Sequence, residues 1–295
     1  MRSHRFKAQR ARFAGLLIVA LMAISPVLLY AIQGLNFKPG FNLFSPAQDV
    51  EVGQKASGEI NSQVQLIRDR QVVDYVTRLG KRLAQFAPNQ PRGANYKWTF
   101  HVVNNSDINA FALPGGFIYV NRGAIEAAQD EAQIAGVIAH EEGHVVMRHG
   151  THQASQMLLA QAPLSILGQL LGQSSSLASQ MAQLGIAFGV NSILLRNSRA
   201  AEAQADEVGT YILYQAGYDP YGMAQFFQII EKKYPQRTIQ FFSDHPNPGN
   251  RIKNVDQEIP LLGPKKNWKT DSPEFQAVKR RLASMPPPPK PAPKK

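Results

Sequence analysis

His140-Glu141-Glu142-Gly143-His144 has the form H-E-x-x-H within an apolar, helix-like run. On an α-helix, residues four apart lie about 40° apart around the axis and one turn up, so both imidazoles reach one ion. The glutamate between them then points at a water on that ion, where peptide hydrolysis needs a general base. Two surface histidines on an amphipathic helix are the alternative. The framing favours the metal site: Asp130 and Gln133 have capping-box spacing, Gly150 is a natural stop after His149, and Ile134, Val137, Ile138, Val145 and Val146 supply packing. His149, at the expected helix C-terminus, faces well away from His144 and needs no catalytic role. His101, within an alternating segment, reads as structural.

Zinc needs a third protein ligand. One large class uses a histidine six residues past the second, with a glycine between them; here those positions hold Gly150 and Met147. Downstream, Asn197–Asp206 offers another solution. Glu202 and Asp206 lie one turn apart on a second predicted helix, opened by Asn197 or Ser198 and closed by Gly217. Glu202 would complete a two-His, one-Glu site, and Asp206 could accept the remaining ring N–H of a ligating histidine. Taken alone, that pair also reads as a solvated helix face.

With these blocks in hand, the chain resembles the HtpX and CAAX-prenyl-protease family of zinc metallopeptidases, in its compact branch similar to Oma-type and BepA-type quality-control proteases. Four blocks match in order within residues 46–262: Asn109-Ala110-Phe111-Ala112-Leu113-Pro114-Gly115-Gly116, the H-E-x-x-H segment, Ser198-Arg199-x-x-Glu202-x-x-x-Asp206, and Asp244-His245-Pro246 followed by Arg251. The resemblance implies His140, His144 and Glu202 as ligands of one Zn²⁺ per chain and Glu141 as the base. It also implies Asn109, His245 and Arg251 around the catalytic cleft. His245 and Arg251 could stabilise an oxyanion or brace the cleft, and His245 could instead bind the open zinc position and hold the enzyme inactive. The implied fold is α+β and mostly helical: a zincin-like domain with a small sheet beside the H-E-x-x-H helix, plus one N-terminal transmembrane helix.

The elements that must position this chemistry are partly visible. Tyr96–Val103 alternates like a strand, and Phe117-Ile118-Tyr119-Val120 is a second. Pro114-Gly115-Gly116 marks a turn, and Gly115, Gly116 and Phe117 are expected on an edge strand that pairs with substrate main chain; an interior hairpin is the alternative. Ser45-Pro46 starts one helix, Val72, Val73, Val76, Leu79 and Leu83 stripe another, and Asp219-Pro220 opens a third. Residues 151–195 contain no Asp, Glu, Lys or Arg. Two helical pieces near 153–171 and 177–195 read as core packing or a lid over the cleft, or as shallow insertion into a membrane surface.

Location comes from the ends. Residues 1–12 carry five basic groups and precede an uncharged stretch, 13–37, that can just span a bilayer with its basic flank cytoplasmic. A cleaved signal peptide is the alternative, disfavoured by poor small-residue cleavage geometry. The chain has no cysteine, which excludes a thiol nucleophile, a disulfide framework and a lipid-modified N-terminal cysteine. Net charge is +11, but residues 265–295 hold nine basic groups and two acidic ones, so the body between the ends is close to neutral. It lacks the cationic groove of a nucleic-acid enzyme, and no nucleic-acid partner is expected. The expected organisation is a basic cytoplasmic segment (1–12), an anchor (13–37), a metallopeptidase domain (38–264) and a basic, Pro-rich tail, largely disordered (265–295). The expected function is zinc-dependent endoproteolysis of unfolded or misassembled envelope proteins, on the periplasmic side of the inner membrane. The alternatives are a membrane-tethered zinc-binding chaperone or scaffold, and a zinc amidase of cell-wall peptides.

Overall fold

The computed structural model describes residues 37–88, 96–161, 197–233, 244–246, 250–264 and 267–289. The basic segment, the expected anchor up to residue 36 and most of the uncharged region (162–196) lie outside them. Among the described residues, no helix is long and apolar enough to cross a membrane. Phe37, taken above as the last anchor residue, is buried edge-on against Tyr211, so it belongs to the folded domain.

In chain order the elements are α1 (Pro46–Gln63), α2 (Arg70–Ala84), β1 (Thr99–Val103), β2 (Ala110–Leu113), β3 (Phe117–Asn121), α3 (Arg122–Ala127), α4 (Glu131–Val146), α5 (His149–Gln161), α6 (Arg199–Ala216), α7 (Gly222–Lys233), α8 (Arg251–Leu262) and α9 (Pro273–Ala283). The described residues are thus mostly helical with one three-stranded sheet, as expected.

The sheet runs β1-β3-β2, with β1 parallel and β2 antiparallel to β3. This corrects the edge-strand assignment. Phe117 opens the central strand, whose main-chain groups face two neighbours, while Gly115 (φ +80°) and Gly116 (φ +103°) form the left-handed turn before it. A Cβ on Gly115 would lie 2.6 Å from the Val50 Cα, so only glycine lets the turn close on α1. Among the described residues, β2 is the outer strand with no further strand beside it. On the other side, β1 is covered by residues 65–67, where the Ile67 N–H donates to the Val102 carbonyl at 2.8 Å.

The H-E-x-x-H helix, α4, packs against α2, α6, α7 and the strands β2 and β3, and every one of its residues is buried. Its start follows the sequence: Asp130 caps it by accepting from the Gln133 N–H at 3.0 Å. Its end does not. The helix stops at Val146, and the left-handed residue is Arg148 rather than Gly150, which lies inside α5. α6 starts at the Ser198 cap and ends at left-handed Gly217, as expected.

The C-terminal expectation also needs correction. Residues 267–289 are not a disordered tail. Ser272 caps α9, whose Phe275, Val278 and Leu282 are fully buried, and this helix packs on α2. The buried Arg122 guanidinium then donates to the Leu282 and Pro286 carbonyls, both at 2.7 Å. A Pro-rich, basic composition concealed one amphipathic helix.

Candidate metal centre and active site

Two helices meet where the chemistry converges. Gly143 of α4 faces Ala205 of α6 so closely that an added Cβ would sit 2.9 Å from the Ala205 carbonyl oxygen. That approach brings His140 and His144 within reach of Glu202, one turn into α6. His140 Nε2 lies 3.0 Å from His144 Nε2 and 3.2 Å from Glu202 Oε2, and His144 Nε2 lies 3.3 Å from Glu202 Oε1. His245 is the fourth member: its Nδ1 is 3.1 Å from Glu202 Oε1 and 3.3 Å from His140 Nε2. One donor atom from each of the four residues falls within a 4.8 Å span, and all four are buried.

The donor set fits a tetrahedral cation. Arms of about 2.0–2.1 Å give tetrahedron edges of about 3.3–3.4 Å, close to the five separations above, within a set that spans 4.8 Å as a whole. Glu202 Oε2 is buried with no hydrogen-bond partner, a carboxylate facing imidazole nitrogens. Burial alone would raise the Glu202 pKa, but His245, His144 and His140 outweigh it and hold the group well below the usual carboxylate range. Burial opposes a charged His140, yet Asp206 and Glu202 push its pKa up to about 10. Such a cluster demands positive charge at its centre. Burial holds His144 well below its ordinary value, leaving a neutral ring with a lone pair to offer.

The surrounding residues hold the donors in place. Asp206 Oδ1 accepts from His140 Nδ1 at 2.9 Å, which leaves Nε2 as the atom that could hold a cation. Arg251 pairs with Asp206, lies 3.5 Å from Glu202 Oε2, and stacks over Phe227 with 4.0 Å to the ring centre. Of its two expected roles, bracing is the one this placement favours, because Arg251 does not line the cleft. Asn109 donates to Asp244 Oδ2 at 3.0 Å and so tethers the loop that carries His245.

Glu141 is buried beside this group, its Oε1 without a hydrogen-bond partner and 3.6 Å from His245 Nε2. Burial raises its pKa, opposed by His245 and His140. Glu141, His144 and His245 open onto a cleft of about 300 Å³, whose wall includes Phe111 and Leu113 of β2.

Residues 71–259 match peptidase family M48. The chain belongs to that family. Over 247 residues, 82% of this M48 chain, it is 27% identical to the beta-barrel assembly-enhancing protease of Escherichia coli K12, covering 49% of that protein. It is 30% identical over 188 residues to the mitochondrial metalloendopeptidase OMA1 of Schizosaccharomyces pombe, covering 63% of this chain and 52% of the other. It is also 29% identical over 215 residues to the metalloprotease LoiP of Escherichia coli K12, covering 72% and 80%. The chain spans about half the length of the first two relatives. The expected H-E-x-x-H metallopeptidase therefore stands at the level of the family.

Sequence reasoning missed His149. Its Nδ1 lies 2.8 Å from His144 Nδ1, whereas an unbroken helix would have pointed it away. No glycine marks the break that redirects it.

Proposed function

We propose that this chain is a zinc-dependent endopeptidase cleaving unfolded or misassembled envelope polypeptides. In this reading it is held by its uncharged N-terminal stretch in the inner membrane, with the domain on the periplasmic side. The convergence of His140, His144 and Glu202, with Glu141 beside them, carries the proposal. Bound there, zinc would polarise the scissile carbonyl and acidify a water.

This chain's own residues do the rest. Glu141, whose pKa is raised by burial, takes the proton of the attacking water and passes it to the departing amine. Asp206 keeps the His140 proton on Nδ1, and Arg251 keeps Asp206 in place. His245 Nδ1, 3.1 Å from Glu202 Oε1, would be a fourth residue holding the ion, and its ring would then have to move aside for water and substrate. The outer edge of β2, Ala110–Leu113, which no described strand pairs, supports main-chain pairing with an extended substrate, which makes recognition tolerant of side chains. That tolerance suits unfolded segments. The OMA1 and beta-barrel assembly-enhancing relatives support a quality-control role.

Incubation of the zinc-loaded protein with unfolded casein, beside Glu141→Gln, tests the reading. Cleavage by the wild type alone is expected, with Glu141→Gln slower by at least about 10²-fold. Equal cleavage by both removes Glu141 as base. No cleavage by either returns weight to a tethered binder or an amidase.

A further inference from the structure

Continued without a break, α4 would carry His149 about 140° round the axis from His144, onto another face. Arg148 prevents this. It is the one non-glycine residue with positive φ (+57°) among the described residues, a conformation costing about 1–2 kcal/mol for an L-residue. The chain reverses there, α5 begins at His149, and the His149 ring comes back against His144.

With Gln204 Oε1 facing His149 and both rings neutral, the resulting chain of hydrogen bonds has one proton arrangement. The Gln204 Oε1 on α6 can only accept, so the His149 Nε2–H, at 3.0 Å, donates to it. A neutral His149 then accepts at Nδ1, so the His144 Nδ1–H donates across 2.8 Å. His144 is left with its lone pair on Nε2, the atom that faces His140 and Glu202. His140 is set the same way by a carboxylate, Asp206.

The strained turn is clamped from α1. Arg148 Nε donates to Asp49 Oδ2 at 2.6 Å and Nη2 to Asp49 Oδ1 at 3.0 Å, with a further bond from Nη2 to the Phe44 carbonyl at 2.5 Å. Asp49 is buried and also accepts from the Tyr96 hydroxyl at 2.7 Å.

We infer that His149 is a positioning residue that fixes the tautomer and orientation of the metal ligand His144, aimed by a left-handed Arg148 that Asp49 holds in place. The inference rests on the metallopeptidase reading above. Full-length protein stripped of metal, titrated with Zn²⁺ against a competing chromophoric chelator, tests it. His149→Phe, which fills the ring's volume without nitrogen, is expected to weaken Zn²⁺ binding about 10–100-fold. His149→Asn, which places an amide oxygen near the position of Nδ1, is expected to restore most of that affinity. Arg148→Ala, losing the clamp but keeping the strain, is expected to weaken binding as well. Zn²⁺ affinity in His149→Phe within about twofold of wild type would overturn the positioning role, as would failure of Asn to rescue a weakened Phe variant. Wild-type affinity in Arg148→Ala would overturn the clamp. His149→Leu is read by the same criteria if the Phe variant does not fold. A wild type that binds no Zn²⁺ would instead sink the metallopeptidase reading and this inference with it.

Discussion

Glu258 on α8 has no part in the proposed chemistry, yet it sets a pH dependence on the fold. Its Oε2 is buried without a hydrogen-bond partner, and burial, then the charge of Glu207, push its pKa up to about 8, partly offset by a hydrogen bond from Thr210. Between about 4.5, where it titrates once unfolded, and about 8, the native state holds a proton that the unfolded chain has released. Stability from this group is therefore complete below about 4.5 and lost progressively as pH rises through 8. Glu258→Gln is expected to leave the melting temperature of metal-free protein unchanged at pH 4 and to raise it by several degrees at pH 9. Parallel melting curves for the two proteins across that range would dismiss the burial argument. Part of the candidate site was legible at this scale, because helix periodicity puts positions 140 and 144, and 202 and 206, on shared faces whatever the tertiary structure; that the two pairs meet was implied by the family resemblance. His149 was not, because its placement depends on one backbone torsion at Arg148 that no residue type announces.

The helices forecast their own limits better than the sheet did. Ser45-Pro46, Asp130, Ser198 and Gly217 each stand where their capping chemistry says they should. β2, Ala110–Leu113, carries no β-branched residue, so it is a strand because β3 pairs with it, and that pairing is tertiary. Strand order is tertiary too, which is why residue types alone do not show that β3, opened by Phe117, is the central strand and β2 an outer one. Element packing yields its own test at Gly143, where α6 lies so near α4 that a methyl group would meet backbone rather than a yielding side chain. Gly143→Ala is expected to cost about 1–3 kcal/mol in urea unfolding and to weaken Zn²⁺ binding by spreading Glu202 away from the imidazoles. Gly58, exposed on α1 with nothing within 4 Å of an added Cβ, is the counterpart. Gly58→Ala is expected to stabilise by about 0.5–1 kcal/mol with unchanged metal affinity. Equal effects at the two sites would mean that the close approach of the helices is not what positions Glu202.

Across the whole molecule, the domain is closed by a segment that composition assigned to a solvated tail. Proline and lysine dominate residues 285–295, and that bias was extended back over Ser272-Pro273-Glu274, a helix start, and over Phe275, Val278 and Leu282, which share one helix face. Those three side chains are fully buried, and each contributes roughly 1.5–3 kcal/mol. Ordering the helix offsets part of that sum. Losing α9 also strips the buried Arg122 of two carbonyl acceptors, which adds a desolvation penalty to the lost apolar contact. Against a total stability of about 5–15 kcal/mol, a net loss of about 3 kcal/mol is substantial and corresponds to a melting temperature lower by roughly 6–12 °C. A chain ended after residue 266 is expected to show that drop, whereas one ended after Pro289, which keeps α9 and removes only the Lys- and Pro-rich remainder, is expected to melt within about 2 °C of full length. Both would be followed by circular dichroism at matched metal content. If the shorter chain melts with the full one, α9 is an appendage, and the catalytic domain ends with α8 after all.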